Sequence, residues 1–271
     1  MQRSLAETDS NASSPLLVFK QADSWDASLV DEPTLANRLG FRYPSVMATT
    51  AQTLLGMYRA MRRRLGHQGW WPGQGQLEIC VGAILTQNTA WTNVEKAIAN
   101  LRAAGAMSVA ELEALSAQRL AELIRPAGYF NVKTRRLKHF IRHVHSRCGE
   151  DIAGFLDGPA GVLREELLSI NGIGRETADS IILYAAGKAT FVVDAYTFRI
   201  LFRHCLIGPE DGYESVKALM ESSLPQDVGL WNDYHAQLVA VGKTYCRPVA
   251  RCEGCPLESF PHDATRKADE F

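Results

Sequence analysis

Three sets of residues in this chain have types and spacings that could do chemistry. The first is Asp194, in Phe191-Val192-Val193-Asp194-Ala195-Tyr196, eighteen residues after a second carboxylate, Glu176. An aspartate ahead of an apolar helical run is a good helix N-cap, and a carboxylate can also stabilise a developing positive charge or orient a water molecule. The second is Cys246-x5-Cys252-x2-Cys255, three thiols close enough in sequence to share one zinc ion or iron–sulfur cluster. The third is the glycine pair Gly172 and Gly174 in Ile170-Asn171-Gly172-Ile173-Gly174-Arg175. A tight turn there leaves the unpaired N–H groups and positive dipole end of the following helix facing outward, where they suit a phosphate without any requirement for base sequence.

These groups need elements to hold them, and the periodicity supplies helices. The apolar run ending at Ile170 reads as a short helix, and Ala178, Ile181, Ile182 and Ala185 recur at i, i+3, i+4 and i+7 to mark a second one beyond the glycines. Upstream, Leu54, Leu55, Tyr58, Met61 and Leu65 predict an amphipathic helix from Thr49 to Leu65, with Arg62-Arg63-Arg64 at its C-terminal end. Leu77 to Leu85 reads as a buried helix that runs into the polar break Thr86-Gln87-Asn88-Thr89-Ala90-Trp91. Pro126 to Lys133 is a turn carrying Tyr129 and Phe130, and it feeds a basic helix from Thr134 to about Arg147. Val216 to Met220 and Leu230 to Val241 predict further helices. Period-two alternation is confined to Ala189–Val193, so the chain is predicted to be all-α.

The conjunction of Leu-x-x-Ile-x-Gly-Ile-Gly-x-x-Thr-Ala, Val-Val-Asp at Asp194 and a C-terminal cysteine cluster resembles the helix-hairpin-helix DNA glycosylase superfamily, in particular its endonuclease III-like branch, over about residues 50 to 257. The resemblance implies two helical domains flanking a DNA-binding cleft: a six-helix barrel with the hairpin at 76–190, and a second helical domain from 46–75 plus 191–271 that carries the cysteine loop. Residues 1 to 45, rich in Ser, Asp, Ala and Pro, are predicted to be a flexible extension.

Residue by residue, the resemblance implies catalysis by Asp194, which would stabilise the oxocarbenium character that develops on the sugar as an N-glycosidic bond breaks. Glu176 stands where bifunctional relatives carry a lysine whose amine attacks the sugar; a glutamate cannot form that imine, so base excision without strand cleavage is expected. The hairpin residues Gly172, Gly174 and Arg175 would contact DNA, Gln87 would fill the hole left by an everted nucleotide, and Tyr129 would wedge into the duplex. In Gly69-Trp70-Trp71-Pro72-Gly73 the adjacent tryptophans either plug a gap between helical layers or line a base pocket together with Glu176; a Trp-Trp-Pro here resembles the 3-methyladenine DNA glycosylase branch. The expected substrate is therefore double-stranded DNA with a damaged base, an alkylated purine first, with mismatched uracil or thymine, oxidised bases, or non-catalytic DNA binding as alternatives. Cys246, Cys252 and Cys255 match a 4Fe-4S pattern in part: the first interval is one residue short, Pro261 occupies the fourth position, and His262 or a distant cysteine could complete the set. Zinc or a metal-free remnant are the alternatives.

Composition bounds the rest. At 271 residues and 46% hydrophobic content the chain can bury a sizeable core. A net charge of −1 excludes a generally basic nucleic-acid binder, so DNA would be met by local positive patches. Six cysteines in so long a chain fit a metal site in a reducing compartment better than a disulfide framework, and there is no apolar run of membrane-spanning length and no signal-peptide pattern. A monomer in the cytoplasm, on the nucleoid when bound, is the expectation.

Overall fold

The computed structural model describes residues 48 to 267; the extension expected at 1–45 lies outside the described residues. Among the described residues the regular structure is entirely helical. In order come α1 (Thr50–Leu65), α2 (Gln76–Leu85), α3 (Trp91–Ala103), α4 (Val109–Ala114), α5 (Ala117–Leu123) and α6 (Phe130–Cys148). Then follow α7 (Ile152–Leu156), α8 (Ala160–Ser169), α9 (Arg175–Ser180), α10 (Ala195–Arg203), α11 (Tyr213–Ser223) and α12 (Val228–Thr244). None is long and apolar enough to cross a membrane.

Two hydrophobic cores organise these helices. One gathers Ile84 and Leu85 of α2, Val94 and Leu101 of α3, Leu137 and Phe140 of α6, and Ala178 and Ile182 beyond the hairpin, each less than a tenth exposed. The other joins Leu54, Met57 and Met61 of α1 to Val193, Ile200, Trp231, Tyr234 and Leu238, so the first and last described helices share a core. Tyr234 fixes that pairing by donating its hydroxyl to the Leu54 carbonyl at 2.8 Å. Helix α1 begins with a reciprocal capping box, Thr49 with Gln52, and its basic last turn complements the dipole.

Helix α6 begins four residues earlier than the expected Thr134, because Tyr129 takes a left-handed conformation (φ 43°) after Gly128 and lets Phe130 enter the helix. Its cations also divide in a way that a linear charge run conceals. Lys133 is buried and donates to the Leu85 carbonyl (2.9 Å) and the Ala127 carbonyl (2.8 Å). Lys138 is buried as well and caps the C-terminal end of α4 through the Leu112 and Glu113 carbonyls, both at 2.8 Å. Both lysines serve the fold. The helix predicted beyond the glycines starts as expected, but it widens after Ser180 into a π-helical segment, Ile181–Ala185, in which the Ala186 N–H reaches the Ile181 carbonyl.

Candidate active site

Asp194 occupies the N-cap of α10, and its two carboxylate oxygens have different surroundings. Oδ1 accepts the Thr197 backbone N–H at 2.8 Å and the Thr197 hydroxyl at 2.9 Å. Oδ2 faces His235 Nε2 of α12 at 3.6 Å. Burial would raise the Asp194 carboxyl, but His235 and the two Thr197 donors outweigh it and hold the group below its ordinary range. The cap and the chemistry can therefore coexist, one on each oxygen.

His235 is itself buried, and its Nδ1 lies 2.5 Å from the Tyr184 hydroxyl on the π-helical segment. Burial and the charges of Asp194 and Glu176 push the Tyr184 phenol well above its ordinary range. Glu176 sits in the first turn of α9. The residue is open to solvent at the surface, yet the protein packed around its carboxyl and the nearby Asp194 charge push it up to about 7, with His235 acting in the opposite direction. The two neighbouring carboxyl groups are thus pushed in opposite directions.

An aromatic group adjoins them. Trp71 contacts Tyr184 (centroids 5.3 Å apart), Trp70 (5.2 Å) and Trp91 at the start of α3 (5.0 Å). Trp71 packs against both cores, and a side chain at Gly82 would approach its ring to 3.1 Å, so it fills the space between helical layers. Trp70 packs against the second core alone and has the Lys243 ammonium 5.9 Å above its ring. The indole N–H groups of all three tryptophans are buried without a hydrogen-bond acceptor. Asp233 accepts the Gln68 backbone N–H at 3.0 Å and the Tyr58 hydroxyl at 3.0 Å, which anchors the segment leading to Trp70.

The hairpin forms between α8 and α9. Gly172 has φ +99°, which glycine adopts freely, and a side chain there would collide with that of Arg136. Gln87 is bound to this turn: its Nε2 donates to the Gly172 carbonyl (3.2 Å) and the Thr177 hydroxyl (2.9 Å), and its Oε1 accepts from Arg136. Gly174 is the N-cap of α9. Arg175 pairs with Glu214 at 3.2 Å, and Tyr129 projects outward, 71% exposed.

Cys246, Cys252 and Cys255 line one small cavity together with His204 and His262. Cys246 Sγ lies 3.3 Å from Arg203 Nη1, and Cys255 Sγ accepts the Leu257 N–H at 3.5 Å. Burial, and to a lesser degree the neighbouring Cys246 and Cys252, push the Cys255 thiol up to about 11. By kind these donors suit iron–sulfur chemistry. By arrangement they fall short, since among the described residues no three His, Cys, Asp or Glu side chains stand together in a way that could hold a metal ion.

Sequence reasoning missed His235, Tyr184 and Trp91. The signal for the first was in the chain: Asp233, His235 and Gln237 alternate with Tyr234 and Ala236 in the middle of α12, and all three are buried. Buried polar groups of that kind need partners, and the partners are distant in sequence.

A helical fold with a glycine hairpin beside a capped aspartate defines a class, and the comparisons identify it. The chain belongs to the HhH-GPD superfamily of base excision DNA repair proteins, whose family model matches residues 81–226. It is 43% identical over 206 residues to a Methanocaldococcus jannaschii protein described as a DNA repair glycosylase, covering 75% of this chain and 93% of that one. It is 28% identical over 185 residues to endonuclease III of Thermotoga maritima, covering 67% and 80%. Among solved structures it is similar to the 3-methyladenine DNA glycosylase of H. pylori bound to 1,N6-ethenoadenine, at 25% identity and a TM-score of 0.63 over 72% of this chain and 98% of that one. It also shares its fold with a non-covalent endonuclease III–DNA complex (19% identity, TM-score 0.68, 80% and 97% covered).

Proposed function

We propose that this DNA glycosylase is monofunctional, hydrolysing the N-glycosidic bond of alkylated purines with water as the nucleophile. The observation that carries the reading is Glu176 beside Asp194, a carboxyl pushed up to about 7 at the hairpin position where imine chemistry would need an amine. With Asp194 ionised and Glu176 partly protonated at neutral pH, the two can divide the work. As the bond to the sugar carbon breaks, a cationic alkylpurine leaves as a neutral base with the bonding electron pair and needs no added proton, whereas Glu176 can give its proton to a damaged base that is uncharged. Asp194 stabilises the oxocarbenium centre, accepts a proton from the attacking water and passes it to solvent, which also reprotonates Glu176.

The base class rests on the aromatic group. Cationic alkylpurines are good leaving groups and stack well on electron-rich rings, and Trp70 is the wall with Trp71 behind it. The similarity to the H. pylori 3-methyladenine enzyme supports the same class. One observation favours a second reading: the buried indole N–H groups of Trp70, Trp71 and Trp91, like that of Trp231, lack acceptors, and a uracil, thymine or oxidised base carries carbonyl oxygens that could serve the first three. Single-turnover excision on a panel of duplexes holding alkylated, deaminated, mispaired and oxidised bases tests both. Alkylpurine duplexes are expected to be cleaved fastest, and no borohydride-trapped adduct is expected on any of them. A trapped adduct would overturn the monofunctional reading.

The same proposal includes action as a cytoplasmic monomer on double-stranded DNA, and a 4Fe-4S cluster on Cys246, Cys252 and Cys255 with a purely structural role. The thiol donors and their common cavity support that assignment, and the side chains would have to draw together from their present arrangement to hold a cluster. Iron and sulfide analysis tests it, with zinc or no metal as the outcomes that would replace it.

A further inference from the structure

We propose that His235, held by Tyr184, is a positioning residue that aims Asp194 Oδ2 at the reacting sugar. The inference rests on Asp194 being the carboxylate that acts there. Its ground is geometric. Asp194 Oδ1 is already committed to two Thr197 donors, so only Oδ2 is free, and the polar atom beside it is His235 Nε2 at 3.6 Å.

The tautomer follows from the carboxylate. Ionised Asp194 can only accept, so its contact with His235 requires the ring proton on Nε2. That leaves Nδ1 as the acceptor for the buried Tyr184 hydroxyl, 2.5 Å away. Nε2 is buried and makes no hydrogen bond. A buried donor pays for lacking an acceptor, so a contact at 3.6 Å is poised to shorten when substrate closes the site. The chain runs from Tyr184 on the π-helical segment, through His235 on α12, to Asp194 at the N-cap of α10. Its three members come from three separate elements. Glu176 on α9 and Tyr196 in the first turn of α10 are further titratable groups coupled to it.

The test measures single-turnover base excision against pH, lesion-DNA affinity and thermal melting for H235F, H235Q and Y184F. H235F is expected to excise about 10- to 100-fold more slowly, the range for losing a hydrogen bond to a charged group. Its acid limb should move to higher pH, because Asp194 without its histidine protonates more readily. Lesion affinity should stay within about twofold, since a positioning contact acts on the transition state more than on binding. Y184F should shift the limb the same way by less, and H235Q, which keeps a donor, should recover part of the rate. An unmoved acid limb in H235F and Y184F, with rates falling only as the folded fraction falls, would overturn the proposal. Should H235F not fold, H235Q and Y184F decide by the same criterion. If D194N excises normally, the reading of Asp194 fails instead, and the two failures are thereby told apart.

Discussion

Asp179 and Asp194 are fifteen residues apart, both shielded from water, and they are used in opposite ways. Asp179 is saturated: Arg164 donates to both of its oxygens (2.8 and 3.1 Å), Thr190 to Oδ1 at 3.1 Å and Tyr213 to Oδ2 at 2.8 Å, with the Lys217 ammonium 3.6 Å away. Those partners tie α8, α9 and α11 to the segment before Asp194. Asp194 has one oxygen satisfied and the other in loose contact with a histidine. A buried carboxylate whose lone pairs are all engaged has nothing left for a substrate, whereas a half-engaged one can turn toward a developing cation. Both are acids of low exposure; what separates them is that Asp179 has both oxygens engaged and Asp194 has one left able to act.

The contrast can be broken most directly at Asp194. D194N should lower excision by about a thousandfold or more, the upper part of the range for a lost acid–base group, while lesion affinity stays within about tenfold. Asparagine caps helices well, so the melting temperature should change little. Wild-type turnover in this variant would end the catalytic assignment. D179N should do the reverse, costing about 1 to 3 kcal/mol of folding stability: Arg164 and Lys217 keep Glu214 and Glu221, but an amide NH2 replaces one of the carboxylate oxygens that accept from Arg164, Thr190 and Tyr213. Excision per folded molecule should be unchanged, and denaturant melts with active-site titration would show it.

The tryptophans extend the comparison to apolar groups. W71A should destabilise the fold by about 3 to 5 kcal/mol, as expected for a large side chain packed into two cores. W70A should remove about 1 to 3 kcal/mol of lesion-dependent stabilisation, the scale of base–aromatic stacking, with a smaller effect on melting. Equal stability losses with unchanged activity per folded molecule would make both of them plugs.

The smallest expected effect is on pH dependence. If protonated Glu176 serves the leaving base, wild-type excision of an uncharged damaged base should be half-maximal near pH 7 and fall as pH rises further, while excision of a cationic alkylpurine should not show that limb. E176Q should be slower and should lack that limb. A limb that persists in the variant would assign it to another group.

The hairpin and Asp194 were legible in the sequence because their signal is local. Glycines at fixed offsets, an apolar period of 3.6 and an acid before a helical run are all contiguous, and the structure puts the elements where those rules place them. His235 was not legible, because its meaning depends on Asp194 and Tyr184, 41 and 51 residues away in the chain. The π-helical widening that carries Tyr184 leaves no mark in the periodicity, since Ile181, Ile182 and Ala185 suit an α-helix equally well. The basic run on α6 was legible as charge, but its division into buried caps and exposed groups was set by the carbonyls of α4 and of the turn at Ala127. At Trp70 and Trp71 the sequence offered two readings, and packing against both cores favours the plug for Trp71.

Lys133 has a mechanical consequence. Its ammonium grips the end of α2, two residues before Gln87, and the turn two residues before Tyr129. The loop that carries Gln87 and the turn that carries Tyr129 are thus riveted to a common pin inside the protein, although Gln87 and Tyr129 are 42 residues apart in the chain.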